Sequence, residues 1–265
     1  MRHSSQINIF TGMKILAIAN QKGGVGKTTT AVNLAACIAE AGRTVLLVDM
    51  DPQANATSGL GVAKTRGVSI HGALLGTESV TDRIVQTSQP NLFLVPSESD
   101  LATAEIQVAR RDDYLVRLRT ALAPLRESAT FDFAILDCPP SIGLLMMNSL
   151  AAADRVLLPV QCEYYALEGV TEILGLIEQI RQSCGGELAI EGVLMTMFDA
   201  RTNLADQVVA QIRQHFGDLA YRTVIPRTVR LSEAPSHGQP INVFDPLGAG
   251  ARAYRQLARE FLGRQ

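Results

Sequence analysis

A chain of 265 residues with 47% hydrophobic and 19% charged residues can bury a core of its own, which excludes a disordered chain. No apolar run reaches the roughly 18 residues of a membrane span. Residues 1–12 lack the apolar core of a secretory signal, and four scattered cysteines without a C-x-x-C pair exclude a disulfide framework or zinc ribbon and fit a reducing cytosol. The net charge of −2 conceals a split. Residues 1–200 carry 15 Lys and Arg against 21 Asp and Glu, whereas residues 201–265 carry nine Arg, no Lys and five acids.

In chain order, residues 1–12 read as a flexible extension, with Met13 an alternative start, ahead of one domain over 13–265. Short Val/Ile/Leu-rich runs at 15–19, 45–48, 92–95, 133–136, 156–160 and 193–197 predict buried strands. Amphipathic stretches at 28–41, 101–122, 144–153, 166–182 and 204–216 predict helices between them, the first closed by Gly42. Continuous apolar strands alternating with helices predict an α/β fold: a mainly parallel, twisted sheet flanked by helices on both faces. The last segment, 248–265, places Tyr254, Leu257, Ala258, Phe261 and Leu262 on one face. It reads as a terminal helix docked on the sheet, with a membrane-surface helix as the alternative.

Between the first strand and first helix lies Asn20-Gln21-Lys22-Gly23-Gly24-Val25-Gly26-Lys27-Thr28-Thr29-Thr30. Strand, glycine-rich loop, Lys-Thr and helix in this order form the context of a phosphate-binding loop. Gly23, Gly24 and Gly26 let backbone N–H groups around Val25 turn toward phosphate oxygens, and the helix end near Thr28 and Thr29 adds its dipole. Lys27 is placed to reach the β- and γ-phosphates, and the Thr28 hydroxyl to ligate Mg²⁺. The strict pattern G-x-x-x-x-G-K-[ST] fails, however, because Gln21 occupies the first glycine position. In its place comes a second cation, Lys22, whose repulsion from Lys27 needs a triphosphate to offset it, either its own or that of a facing subunit. Asp49, Asp51 and Asp137 each close an apolar strand run, where an open α/β sheet collects ligands. A carboxylate there needs a metal, a water or a cation. Asp137 suits a Mg²⁺-bound water.

The run from Lys22 to Thr29 resembles the deviant Walker A motif of the ParA/MinD class of P-loop ATPases. Segments 47–57 and 135–141 are similar to further blocks of that class. Segments 161–169, 199–204 and 225–236 are similar to its chromosomal ParA (Soj) branch, so the likeness spans about residues 13–262. The resemblance implies a single-domain P-loop NTPase that uses ATP and Mg²⁺ and forms a sandwich homodimer in which Lys22 reaches the partner's nucleotide. It implies that Asp51 orients the attacking water, that Asp49 supports the Mg²⁺ water shell, and that Pro226 and Thr228 line the adenine, with Met197 flanking it. It implies slow hydrolysis stimulated by a ParB-type centromere-binding protein, and a cytoplasmic, nucleoid-associated protein that partitions chromosome or plasmid DNA. Arg201 and Arg230 stand at positions that carry DNA contacts in that branch; Arg227, a weaker candidate, shares with them a loop-like stretch that reads as poor in compensating acid. Without a recognition helix the expected binding is to phosphates of double-stranded DNA, not to bases. The 12 residues before Met13 are too few for the helix-turn-helix domain of the family's operator-binding members. Three other readings share the ATPase core: a MinD-like membrane-cycling ATPase, an electron-transfer ATPase with a bridging cluster, and a nucleotide-gated scaffold that positions other cargo. The first needs a lipid-binding C-terminal helix, and the second needs a cysteine pair.

Overall fold

The computed structural model describes residues 12–163, 166–185 and 188–265. Most of the expected extension, residues 1–11, and Tyr164 and Tyr165 of the 161–169 segment lie outside the described residues. The chain runs β1 (Lys14–Ile18), α1 (Lys27–Glu40), β2 (Val45–Asp49), α2 (Asn55–Gly59), α3 (His71–Leu75), β3 (Val85–Gln86), β4 (Leu92–Val95), α4 (Leu101–Val108) and α5 (Arg117–Ser128). It continues through β5 (Phe133–Asp137), α6 (Leu144–Ala152), β6 (Arg155–Gln161), α7 (Ala166–Cys184), β7 (Ala189–Phe198), α8 (Asn203–Phe216), β8 (Ala220–Pro226), α9 (Val229–Glu233), α10 (Ile241–Phe244) and α11 (Ala249–Gly263).

Among the described residues the strands form one eight-stranded sheet in the order β3-β4-β2-β5-β1-β6-β7-β8, and only the β3–β4 pair is antiparallel. The strands are apolar throughout because both faces are covered. Ile15 and Ala17 of β1 face one core with α3 to α8, whereas Leu16 and Ile18 face the other with α1, α2, α9, α10 and α11. Helix α1 is buried nearly all round, at Ala31, Leu34, Ala35 and Ile38 among others, since it lies between the sheet and α11. The apolar face of α11 is docked: Tyr254, Leu257, Ala258 and Phe261 are all buried, which leaves no apolar stripe for a lipid surface.

Strand β3 and the short helices α2, α3, α9 and α10 add to the expected elements, and two larger features depart from the sequence expectation. The stretch 101–122 is two helices, because Arg110, Arg111, Asp112 and Asp113 offer nothing to bury and Asp113 instead holds Arg117 at 2.7 Å. Strand β8 is an additional edge strand, irregularly paired with β7: Val193 lies opposite Ala220 and Met195 opposite Val224. In that bulge the N–H groups of Arg222 and Thr223 both donate to the Glu260 carboxylate of α11, at 2.8 and 2.9 Å.

The chain crosses from β1 over β5 to β2, and later returns from β5 past β1 to β6. Connections therefore leave β1 and β5 in opposite directions, which opens a crevice at their carboxyl ends. The glycine-rich loop, Asp49, Asp51 and Asp137 all lie at that end of the sheet.

Candidate active site

Gly24 and Gly26 adopt left-handed backbone, with φ of 76° and 87°. A Cβ at Gly23 or Gly24 would meet nothing within 4 Å, so the loop leaves open room above its backbone. The loop is held from below. Asn20, buried at the end of β1, donates to the Pro159 carbonyl at 2.8 Å and accepts the Lys22 N–H at 2.9 Å. Thr196 of β7 donates to the Val25 carbonyl at 2.8 Å. Lys27 arches back so that its Nζ donates to the Lys22 carbonyl at 2.9 Å. The Lys22 side chain is half exposed and lies 3.6 Å from Glu163.

The three carboxylates are in different states. Asp49 and Asp137 are cross-strand neighbours with no solvent exposure. Asp49 is fully engaged: the Thr57 N–H and hydroxyl donate to Oδ2 at 2.8 and 2.7 Å, and the Asp51 N–H donates to Oδ1 at 3.2 Å. Burial pushes its pKa up to about 6 against the pull of these donors. The Thr57 hydroxyl accepts the Ser97 N–H, and Ser97 donates to the Asp51 carbonyl at 2.7 Å, so Asp49 anchors the turn that carries Asp51. Asp51 itself accepts the Gln53 N–H at 2.9 Å. Asp137 is the exception, since neither carboxylate oxygen has a hydrogen-bond partner. Burial first, and the Asp49 charge next, hold its pKa well above the ordinary value, while the nearby Thr28 hydroxyl and Lys27 ammonium oppose this without closing a bond. Burial lowers the Lys27 pKa in turn. A buried carboxylate without partners, beside a buried ammonium and an open glycine loop, lacks counter-charges that a phosphate chain and a divalent cation would supply. The residues present therefore fit Mg²⁺, with Thr28 and Asp137 as the groups that would hold it directly or through water.

Two cavities meet here. One of about 280 Å³ is lined by Gly23, Gly24, Lys27, Thr28, Asp51 and Pro140. The other, of about 380 Å³, is lined by Ile225, Pro226, Arg227, Thr228, Leu231 and Tyr254 among others. Gly26, Thr29 and Met197 line both. Met197 sits in the β7–β8 irregularity with a φ of 52°, strained for a methionine, which aims it at the junction. Thr228 caps α9, its hydroxyl accepting the Leu231 N–H at 3.2 Å. Of the residues expected at the nucleotide, Gly23, Gly24, Gly26, Lys27, Thr28, Thr29, Asp51, Met197, Pro226 and Thr228 line these cavities, whereas Lys22, Val25, Asp49 and Asp137 do not. The structure adds Thr196 and Tyr254 to the cavity walls and Asn20 beneath the loop, which come from separate elements and show no local motif; a polar residue ending or interrupting an apolar strand is the one signal for Asn20 and Thr196.

The arginines are less free than their neighbourhoods suggest. Arg201 makes a two-point pair with Asp199, at 2.8 and 2.6 Å, and holds that carboxyl well below the usual range. Arg230 pairs with Glu233 at 3.1 Å and lies over the Phe244 ring. Arg227 is exposed and forms no ion pair among the described residues.

The model of the AAA domain family matches residues 13–190. The sporulation initiation inhibitor protein Soj of Bacillus subtilis is 51% identical, over 93% of this chain and 97% of its own length. The chain belongs to the Soj/ParA family of chromosome-partitioning ATPases. The chromosome partitioning protein ParA of Caulobacter vibrioides is 46% identical over 96% of this chain and 95% of its own. The fold is shared more widely. Cobyrinic acid a,c-diamide synthase from Mycobacterium smegmatis, solved with a bound ATP analog and magnesium, superposes with a TM-score of 0.82 at 37% identity, each chain covered to 94%. Within the Soj/ParA family frame, the doubled lysine at Lys22 and Lys27 and the left-handed Gly24 and Gly26 form one continuous loop in this chain.

Proposed function

We propose that this chain binds ATP with Mg²⁺ in the paired cavities, hydrolyses it slowly, and uses the ATP-bound state to hold DNA during partitioning of a chromosome or plasmid. The observation that carries the reading is the partnerless, buried Asp137 facing Lys27 and the open glycine loop. The phosphate chain lies along Gly23–Gly26, and Lys27 exchanges its bond to the Lys22 carbonyl for the β- and γ-phosphates. Bound Mg²⁺ would neutralise charge on those phosphates. Thr28 and Asp137 would hold the ion directly or through water, while Asp49 fixes the turn that carries Asp51. Asp51 holds the attacking water in line with the γ-phosphate, so that positioning and charge neutralisation, not covalent chemistry, set the rate. The base enters the larger cavity between Pro226, Thr228 and Met197.

Lys22, exposed beside Glu163, is the group that reaches the nucleotide of a second copy, so ATP promotes a sandwich dimer. The dimer presents two sets of Arg201, Arg227 and Arg230 to DNA phosphates. Single-unit affinity of about 10⁻⁴–10⁻⁶ M then rises through paired contacts. A ParB-type partner supplies the charge that speeds hydrolysis and releases the DNA, which places the protein in the cytoplasm on the nucleoid. No helix among the described residues is long and apolar enough to cross a membrane, and α11 is docked, which favours this reading over membrane cycling.

The test is binding to random-sequence duplex DNA with ATP, ADP or no nucleotide across a salt series, with anionic liposomes in parallel. The expected result is DNA binding with ATP only, weakening steeply with salt. Liposome binding without DNA binding would overturn the reading.

A further inference from the structure

Residues 201–265 carry nine arginines against five acids, but Arg201 and Arg230 are already matched by Asp199 and Glu233. Arg255 and Arg264 are matched by Glu40 and Glu260, which leaves Arg213, Arg222, Arg227, Arg252 and Arg259 without an ion pair among the described residues, the first three of them on or beside β8. Arg222, exposed on that strand, forms no ion pair among the described residues. Arg213, exposed near the end of α8, also lacks a carboxylate partner, and its Nη2 donates to the Arg222 carbonyl at 3.1 Å. That bond anchors the Arg213 side chain on the backbone of β8 beside Arg222, and no ion pair engages either guanidinium among the described residues.

Both line a cavity of about 610 Å³ with Asp218, Glu260 and Arg264. Two of these three are occupied. Glu260 binds the Arg222 and Thr223 N–H groups, the Thr223 hydroxyl and Arg264. Arg264 pairs with Glu260 and stacks 3.9 Å over the Tyr221 ring. Asp218 pairs with neither Arg213 nor Arg222. Just past the carboxyl end of the same strand stands Arg227, exposed and in no ion pair among the described residues, though its charge acts on Asp199.

We propose that the β8 edge is a second contact surface for the phosphate backbone of double-stranded DNA, with Arg213 and Arg222 gripping phosphates at its amino end while Arg227 holds them at the other. The inference rests on the DNA-binding reading above and extends it to two residues at the opposite end of β8 from the nucleotide cleft. Guanidinium groups suit this role because they pair phosphate oxygens two at a time. No recognition helix accompanies them, so the contact carries no base preference.

The experiment compares the full chain with Arg213→Gln, Arg222→Gln and the double variant, with Arg110→Gln as an exposed, unpaired control elsewhere. Binding of the ATP-loaded protein to random-sequence duplex is followed across a salt series, with polyglutamate as a second polyanion. Unchanged ATP hydrolysis without DNA and an unchanged circular dichroism spectrum show that the variants fold. Each arginine lost should make the slope of log affinity against log salt shallower by about 0.9, and the double variant by about 1.8 per protomer, with the control unchanged. Normal binding by the unaltered chain together with an unchanged slope in the double variant overturns this inference alone. Polyglutamate binding that is lost in the double variant, with the DNA slope unchanged, overturns it in favour of an acidic protein partner. Absence of ATP-dependent DNA binding by the unaltered chain overturns the functional reading and this inference together.

Discussion

Asn33 ties the phosphate-loop helix to α10: its amide donates to the Thr29 carbonyl at 2.7 Å, and its oxygen accepts the Ile241 N–H at 2.6 Å. Thr29 lines both cavities, and Phe244 at the other end of α10 lies beneath Arg230. One buried side chain therefore links the helix that carries Thr29 to the helix whose far end underlies Arg230. Asn33→Ala leaves the Ile241 N–H without a partner in a buried place, at a cost of about 1–3 kcal/mol. Denaturant unfolding should show that loss as a lower midpoint with an unchanged slope. The gain in DNA affinity on adding ATP should shrink as well.

Lys27 and Asp51 should fail in different ways. Lys27→Ala removes the ammonium at the phosphates, and nucleotide titration should show binding abolished. Asp51→Ala keeps the loop and should bind ATP normally while hydrolysis falls by about 10²–10⁴-fold. The expected signature is a protein that stays on DNA with ATP and does not release. Rapid turnover by Asp51→Ala would remove this residue from the mechanism.

Under the proposed DNA-binding reading, Asp199 and DNA compete for Arg201. Its two-point grip on an exposed guanidinium must be surrendered before a phosphate takes the same donors. Asp199→Asn should therefore raise DNA affinity and leave ATP hydrolysis unaltered. Lower affinity would mean that the pair, and not the free guanidinium, is the binding form.

The Glu40–Arg255 pair joins α1 to α11 through two bonds of 2.7 and 2.9 Å, and these hold the Glu40 carboxyl below its usual range. The lowered folded-state pKa means that its stabilisation is present above the ordinary glutamate value of about 4.3 and is lost as pH falls through the depressed value. Arg255→Gln should be less stable at neutral pH and should converge with the unaltered chain in strong acid. Thermal melts from pH 7 down to pH 2 measure this. Both groups are about one-third exposed, so the neutral-pH difference should also shrink with added salt.

The central strands were legible because a strand covered on both faces has no polar positions to blur it: 45–48, 92–95 and 133–136 coincide with β2, β4 and β5 within a residue. Strand β8 was hidden by its place at the edge. Arg222 and Thr223 interrupt its apolar run, because one side of an edge strand meets solvent and the bulge meets Glu260. The phosphate loop was legible because its chemistry is contiguous. Asn20 and Thr196 act from β1 and β7, and Asn33 and Tyr254 from α1 and α11, so their roles exist only once the chain has folded. The acids that neutralise Arg201 and Arg230 stand two and three residues away in sequence. That spacing is suggestive on a helix, but the turn at Asp199 decides the matter for Arg201.

The clasp of Glu260 on the β8 bulge has a bearing on how copies of this chain can meet. An unpaired strand edge is an invitation to add another strand, and here one border is sealed by a carboxylate and ends in Pro226, while the other is the two-residue β3. Growth by backbone pairing is closed at both borders. Association must instead use side-chain and loop surfaces, whose grip answers to salt and small molecules within a working cycle. The ATP-gated association proposed above needs contacts of that reversible kind, and a strand-by-strand ladder would lock the copies in place.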